Sequence, residues 1–299
     1  MRHAPKKRLA VAPMMEWTDR HCRSFHRALT KEAVLYTEMV TTGALIHGDV
    51  PRHLDYSQDQ HTVVLQLGGS EPNDLAKAAE LAQQWGYDEI DLNCGCPSER
   101  VQRGTFGACL MAEPDLVADC VKAMKNEVDI PISVKHRLGL DSMDAANSEK
   151  DYQFALDFIL AVADAGASQV TIHARNAVLK GLSPKENRSK PPLRYEVAAK
   201  LRLDAQKQFP NLKVLLNGGL ETNEQIAGHW DDFDGFMIGR AAYHFPAMLL
   251  GWDDLINTNG DAAGYLFSET EWHRIQIALV KQVQNWFDEC RAKDKPFYI

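Results

Sequence analysis

Three groups of residues in this 299-residue chain have types and spacings that could do chemistry. The first is glycine-rich: Asn217-Gly218-Gly219, followed downstream by Gly239-Arg240. Glycines let backbone N–H groups approach phosphate oxygens, a helix start favours the negative charge, and Arg240 can add a bidentate contact. No G-x-G-x-x-G follows an apolar run, so a dinucleotide fingerprint is unsupported, and a phosphorylated cofactor such as FMN suits these loops better. The plain alternative is two tight turns and a surface arginine. The second group is Lys135, which closes the apolar run Ile130-Pro131-Ile132-Ser133-Val134. A lysine is costly to bury unpaired, so it needs an anionic partner or a depressed pKa. It could hold the charge of a reduced flavin, form a Schiff base with a carbonyl substrate, or carry its ammonium out to solvent. The third group is Cys94-Gly95-Cys96-Pro97. The C-x-C spacing differs from the C-x-x-C of zinc and redox motifs and no second pair is near, so no metal site is expected. A loop thiol of ordinary acidity is protonated at neutral pH and could serve as a general acid. Cys96 could equally be a small buried hydrophobe. Cys109, within Gly107-Ala108-Cys109-Leu110, leads into a helix and reads as packing.

Short apolar runs at 9–12, 34–39, 62–67, 89–93, 130–135, 169–173, 213–217 and 235–239 read as strands. Amphipathic stretches at 19–29, 72–84, 114–125, 152–165, 195–209 and 223–228 read as the helices between them. The strands lack a clean period of two, as expected when both faces are buried. Eight such units predict an α/β fold, a (β/α)8 TIM barrel, whose active site lies at the C-terminal strand ends. Polar or special residues do stand there: Pro13-Met14-Met15, Glu38, Gln66, Asn93, Lys135, His173, Asn217 and Gly239-Arg240. The expected division is a barrel over 1–250 and a C-terminal helical segment over 251–299. A helix is predicted from Ser268 to about Cys290, with Ser268 and Glu271 as a capping box. Trp272, Ile275, Leu279, Val283 and Trp286 form its apolar stripe, and the segment is expected either to dock on the barrel or to begin a truncated helical domain.

Hydrophobic residues make up 45% and charged residues 25%, which excludes long disorder and collagen-like repeats. No apolar run approaches the ~18 residues that span a bilayer. The basic start Met1-Arg2-His3-Ala4-Pro5-Lys6-Lys7-Arg8 has no apolar region behind it, so no secretory signal is expected and the protein is placed in the cytoplasm. Six cysteines in a chain this long do not make a disulfide framework, and reduced thiols are expected. The net charge of −8 argues mildly against bulk affinity for nucleic acid. Residues 175–194 run the other way, with Arg175, Lys180, Lys185, Arg188, Lys190 and Arg194 against the single acid Glu186. That basic loop, with Arg100 and Arg103 on the same face, suggests a polyanionic substrate.

Several of these segments resemble the tRNA-dihydrouridine synthases. The matching motifs are Ala12-Pro13-Met14 with Trp17-Thr18-Asp19, Asp91-Leu92-Asn93-Cys94-Gly95-Cys96-Pro97-Ser98, Val134-Lys135-His136-Arg137, His173-Ala174-Arg175, Leu182-Ser183-Pro184-Lys185-Glu186-Asn187-Arg188 and Asn217-Gly218-Gly219. Tyr36-Thr37-Glu38-Met39 and Phe106-Gly107-Ala108-Cys109 resemble the A-type bacterial branch, which acts on uridines 20 and 20a of the D-loop. The resemblance runs over about residues 8–250. It implies an FMN-holding barrel followed by a helical tRNA-binding domain, and NADPH-dependent reduction of uridine to 5,6-dihydrouridine. It implies FMN contacts from Pro13, Met14, Met15, Gln66, Lys135, His173, Asn217, Gly218, Gly219, Gly239 and Arg240. Cys96 corresponds to the proton donor to C5, and Asn93, Arg175, Lys180 and Ser183 to contacts with tRNA or the target uridine. Lys135 would favour the anionic reduced flavin, and the target base must be flipped out of its stack. Two departures stand out. Cys94 replaces an aliphatic residue, which places a second thiol near the catalytic one. The family's Arg-rich C-terminal helices are absent beyond Ile299, so the chain reads as truncated, with weakened tRNA docking. A monomer is expected. Competing readings are a flavin reductase of free pyrimidines, which has no use for the basic loop, and a Schiff-base aldolase using Lys135 and ignoring Cys96. A non-catalytic RNA-binding barrel is the third.

Overall fold

The computed structural model describes residues 6–141, 148–261 and 269–292. All eight expected strands form: β1 Arg8–Val11, β2 Val34–Thr41, β3 Val63–Gly68, β4 Glu89–Cys94, β5 Ile132–Arg137, β6 Gln169–His173, β7 Lys213–Asn217 and β8 Gly235–Ile238. Each pairs in parallel with the next, and β8 closes on β1. The helices are α1 Arg20–Leu29, α2 Thr42–His47, α3 Val50–Leu54, α4 Pro72–Gln84, α5 Glu99–Arg103, α6 Pro114–Glu127, α7 Ser148–Asp164, α8 Tyr195–Gln208, α9 Asn223–Gly228, α10 Arg240–His244, α11 Trp252–Asn257 and α12 Glu269–Ala292.

Local chemistry sets the boundaries. β5 begins at Ile132 instead of Ile130 because Pro131 has no N–H for a ladder; its carbonyl accepts from the Ile90 N–H at 3.0 Å. Asp19 caps α1 by accepting from the Cys22 N–H at 2.8 Å. Thr222 and Gln225 form a full capping box on α9, which the sequence reading did not single out.

Alternation along each strand sorts the side chains into two sets. Leu9, Val11, Leu35, Leu65, Leu92, Val134 and Ile172 pack outward against the helices, while Ala10, Val34, Tyr36, Val64 and Met237 fill the barrel. The barrel floor is polar. Arg8 pairs with Glu89 at 2.7 Å and donates to Gln169 at 2.9 Å, and Gln169 donates to the Tyr36 hydroxyl at 3.2 Å. Arg8, Gln169 and Tyr36 partner one another in a water-poor interior, where an unpaired polar group is expensive, while Glu89 Oε1 is buried without a hydrogen-bond partner among the described residues.

The packed shell continues past Leu250, since Trp252, Leu255 and Ile256 are buried and the Trp252 indole donates to Asn223 at 3.1 Å. The apolar stripe is covered only in part. Ile275 is buried and Leu279 is half-buried on the barrel core, but Trp272 and Val283 are exposed, as are Val280 and Phe287. Helix α12 contacts the shell at α1, where Ile275 and Leu279 are covered. Ser268 and the side chains of Glu271 and Trp286 lie outside the described residues. Among the described residues no helix is long and apolar enough to cross a membrane.

Candidate active site

Strand register gathers the expected residues at one end of the barrel. Asn93 lies opposite Lys135, Gln66 opposite Asp91, and His173 opposite Asn217. Pro13, Met14 and Met15 follow β1 at the same rim, and Gly239 follows β8. Trp17 stacks on Tyr243 with ring centroids 4.5 Å apart, which ties the β1 loop to α10. The Met14 N–H donates to Thr18 Oγ1 at 2.9 Å, whereas Met15 stands open to solvent.

Lys135 is only partly reached by solvent, and its ammonium has no hydrogen-bond or ion-pair partner among the described residues. Burial pushes its pKa down and the neighbouring Arg137 adds to that, while Asp91 pulls it back up. Burial also raises Asp91, opposed by hydrogen bonds from Gln66 and Ser133. His173 is held well below its ordinary value by burial and then by Arg137 and Lys135, so its imidazole is neutral. Its Nδ1 is buried without a partner among the described residues.

The β7 glycines are required by backbone conformation. Gly218 (φ +103°) and Gly219 (φ +72°) are left-handed, and a Cβ would lie 3.0 Å from His173 Nε2 or 2.4 Å from Leu193 Cδ1. Tyr195 Oη donates to the Gly218 carbonyl at 2.6 Å, and Asn217 Nδ2 to the Met237 carbonyl at 2.6 Å. Gly239 differs: an added Cβ would meet Met14 Sδ at 3.5 Å and Ala12 Cβ at 3.6 Å, ordinary contacts, so crowding does not require a glycine there. Arg240 reaches across to donate to the Arg188 carbonyl at 3.2 Å.

Cys96 lies on the loop after β4. Asn93 Oδ1 accepts from the N–H groups of Gly95 (3.1 Å) and Cys96 (3.0 Å), and the Cys96 carbonyl accepts from the Ala108 N–H at 2.9 Å. Its thiol has Ser98 Oγ at 3.6 Å and is half-buried. The expectation of a second thiol beside it is corrected: Cys94 is fully buried in the outer core, and burial holds its pKa well above the ordinary value. Two residues apart on a strand would share a face, but the turn at Gly95 breaks that alternation. Cys109, half-buried against the Phe106 carbonyl at 3.1 Å, packs as expected.

Arg137 is a site residue that the sequence motifs contain but do not assign. Its buried guanidinium donates to the carbonyls of Gly95 (3.1 Å), Asn187 (2.9 Å) and Asn176 (3.3 Å), locking the Cys96 loop to the loop after β6. The available signal was its position two residues after Lys135, on the same strand face. Gln102 makes a second such link, donating to the Pro97 carbonyl at 2.8 Å and the Leu179 carbonyl at 3.0 Å.

Of the six basic residues in the β6 loop, Lys180, Lys185, Arg188 and Lys190 are exposed, and the first three have no ion-pair partner among the described residues. Arg194 does not belong to the surface patch: it is buried, pairs with Asp151 at 2.9 Å and clamps α7 to the loop. Lys190 is neutralised by Glu186 at 2.6 Å, and that carboxylate also accepts from the Ser183 N–H and hydroxyl at 2.9 and 2.8 Å. Arg175 is half-buried and donates to the Pro191 carbonyl. The side chains of Arg100 and Arg103 lie outside the described residues.

Residues 10–284 match the family model described as dihydrouridine synthase (Dus). Over 248 residues the chain is 54% identical to a tRNA-dihydrouridine(20/20a) synthase of Pseudomonas putida, covering 83% of this chain and 71% of that protein. A protein of the same name from Vibrio parahaemolyticus is 56% identical over 84% of this chain and 74% of its own length. The corresponding values for Yersinia pestis are 55%, 82% and 68%.

Proposed function

Because this chain belongs to the dihydrouridine synthase family, we propose that it reduces uridine to 5,6-dihydrouridine in tRNA, at positions 20 and 20a. The observation that carries this reading is the juxtaposition of an unpartnered lysine, a glycine cradle and a loop-held thiol at one barrel mouth. Two features fit FMN. Among the described residues the ammonium of Lys135 has no ion-pair partner and the buried His173 Nδ1 has no hydrogen-bond partner. Gln66, Lys135, His173, Asn217, Gly218, Gly219, Gly239 and Arg240 would hold the cofactor, with Pro13, Met14 and Met15 at its rim.

When bound, FMN recharged by NADPH supplies a hydride to uracil C6. Cys96 delivers the proton to C5, which calls for a protonated thiol within hydrogen-bonding reach of that carbon. Lys135 contributes positive charge in a poorly solvated site, where it counts for more than in water. Arg137 and Asn93 keep the Cys96 loop in place. Asn93, Arg175, Lys180 and Ser183 contact the RNA; the Ser183 hydroxyl donates to Glu186, accepts from the Glu186 N–H and keeps one lone pair to accept with. A base stacked in folded RNA reaches the mouth only by leaving its stack. We further infer a monomer that works where tRNA is found, in the cytoplasm, with 1–250 as the catalytic barrel and 251–299 as a helical segment. The test is direct: the purified protein shows flavin absorption and forms dihydrouridine in unmodified tRNA with NADPH. A colourless protein that borohydride traps on a carbonyl substrate through Lys135 would be an aldolase instead.

The three exposed cations of the β6 loop that have no ion-pair partner among the described residues, Lys180, Lys185 and Arg188, make a salt prediction. At physiological ionic strength the Debye length is ~8 Å, so the chain's distant acids are screened and the local patch dominates. Binding of unmodified tRNA, followed by fluorescence anisotropy, falls steeply with salt. Lys180→Ala with Lys185→Ala reduces the log–log slope by about 0.7–0.9 for each phosphate the loop no longer neutralises. An unchanged slope would make the loop an ordinary solvated surface.

A further inference from the structure

The Cys96 loop is the end of a chain of hydrogen bonds that begins at a buried carboxylate. Ser133 Oγ donates to Asp91 Oδ1 at 2.9 Å, and Gln66 Nε2 donates to Asp91 Oδ2 at 2.7 Å. Gln66 Oε1 accepts from Asn93 Nδ2 at 2.9 Å. Asn93 Oδ1 is then left to accept from the N–H groups of Gly95 and Cys96. Asp91 is fully buried and Gln66 nearly so. Asp91 lies one inward-facing position below Asn93 on β4, with Gln66 and Ser133 beside it in register.

The first link dictates the direction of every later one. Both oxygens of Asp91 accept, Oδ1 from the Ser133 hydroxyl and Oδ2 from Gln66 Nε2, so Gln66 turns its NH2 toward Asp91 and its oxygen toward Asn93. Asn93 must then turn its NH2 toward Gln66 and its oxygen toward the turn. With either amide reversed, two donors or two acceptors would face each other where water cannot intervene. Without the carboxylate the two carboxamides lose the group that distinguishes their ends.

We propose that Asp91 is a positioning residue for the proton-donating loop: through Gln66 and Asn93, its carboxylate fixes the orientation in which the Gly95–Cys96 turn is held. The proposal rests on Cys96 being the proton donor, and its tests separate the two ideas. Asp91→Leu removes the origin of the chain. Asp91→Asn retains an oxygen for Gln66 and places an NH2 against the Ser133 hydroxyl, which can accept. The first readout needs no substrate: the rate at which iodoacetamide alkylates Cys96, read by mass spectrometry with Cys22 and Cys109 as references. In Asp91→Leu the Cys96 rate rises by at least about tenfold, the scale of losing one buried hydrogen bond, while the reference rates hold. In Asp91→Asn it stays close to the parent. The second readout is uridine reduction in a double-mutant cycle, where Asp91→Leu adds no further loss in a Cys96→Ala background. An unaltered Cys96 rate in folded Asp91→Leu would overturn the proposal, as would additive losses in the cycle. If Asp91→Leu does not fold, Asn93→Ala takes its place in the alkylation test under the same criterion. Full activity of Cys96→Ala alone would instead sink the donor assignment, and the alkylation result would still judge the positioning.

Discussion

Replacing Cys96 with alanine stops dihydrouridine formation while FMN remains bound and reducible by NADPH. The thiol sits on the loop after β4, whose backbone is held through Asn93 and the Ala108 N–H. Losing a general acid costs on the order of 10²–10⁴-fold in rate. The two half-reactions separate the roles, because flavin reduction needs no proton at uracil C5. Cys109→Ala and Cys94→Ala serve as comparisons. Cys94 is enclosed in the outer core, so its replacement tests packing only. A large loss of uridine reduction in Cys109→Ala, with Cys96→Ala near the parent, would move the donor to the 107–112 turn.

Lys135→Met gives the second large effect: slower anaerobic reduction of the flavin by NADPH and weaker retention of FMN. A charge-assisted contact is worth about 1.5–3 kcal/mol, so the rate should fall about ten- to hundredfold. The same variant should not lower the stability of the cofactor-free protein. The ammonium's pKa is depressed in the fold, so the unfolded chain binds its proton more tightly. The charged lysine therefore opposes folding below its folded pKa, and that opposition fades as pH rises through the unfolded value. Methionine removes the opposition, so the Tm of the apoprotein at neutral pH holds or rises. Equal reduction rates in mutant and parent would return Lys135 to a lysine that merely reaches solvent.

The barrel was legible because strands buried on both faces leave an unmistakable pattern of short apolar runs between amphipathic helices. β6, β7, α4 and α9 fall on their expected bounds, and the misplaced boundary of β5 has a one-atom cause, the missing N–H of Pro131. The candidate site was legible for the same reason. In a parallel barrel every strand ends at the same face, so Gln66, Asn93, Lys135, His173 and Asn217 converge once the strands are assigned.

What stayed hidden was every fact that depends on which partner a side chain finds. Arg194 counts as a surface cation in the sequence and is a buried clamp on Asp151, because α7 and the β6 loop meet there although 43 positions apart. Cys94 and Cys96 look like a pair, yet the turn at Gly95 sends one thiol into the outer core and leaves the other at the mouth. Arg137 and Asp91 stood inside recognisable motifs, but their roles were not legible there, since their work is to satisfy carbonyls and amides supplied by other strands and loops. The sequence by itself determined the period, the class of fold and the end of the barrel where chemistry belongs, because those follow from short-range patterning. Only the tertiary structure decided which charges are free, which thiol is presented and which carboxylate orients it. Those outcomes depend on burial and hydrogen-bond partners contributed by residues distant along the chain.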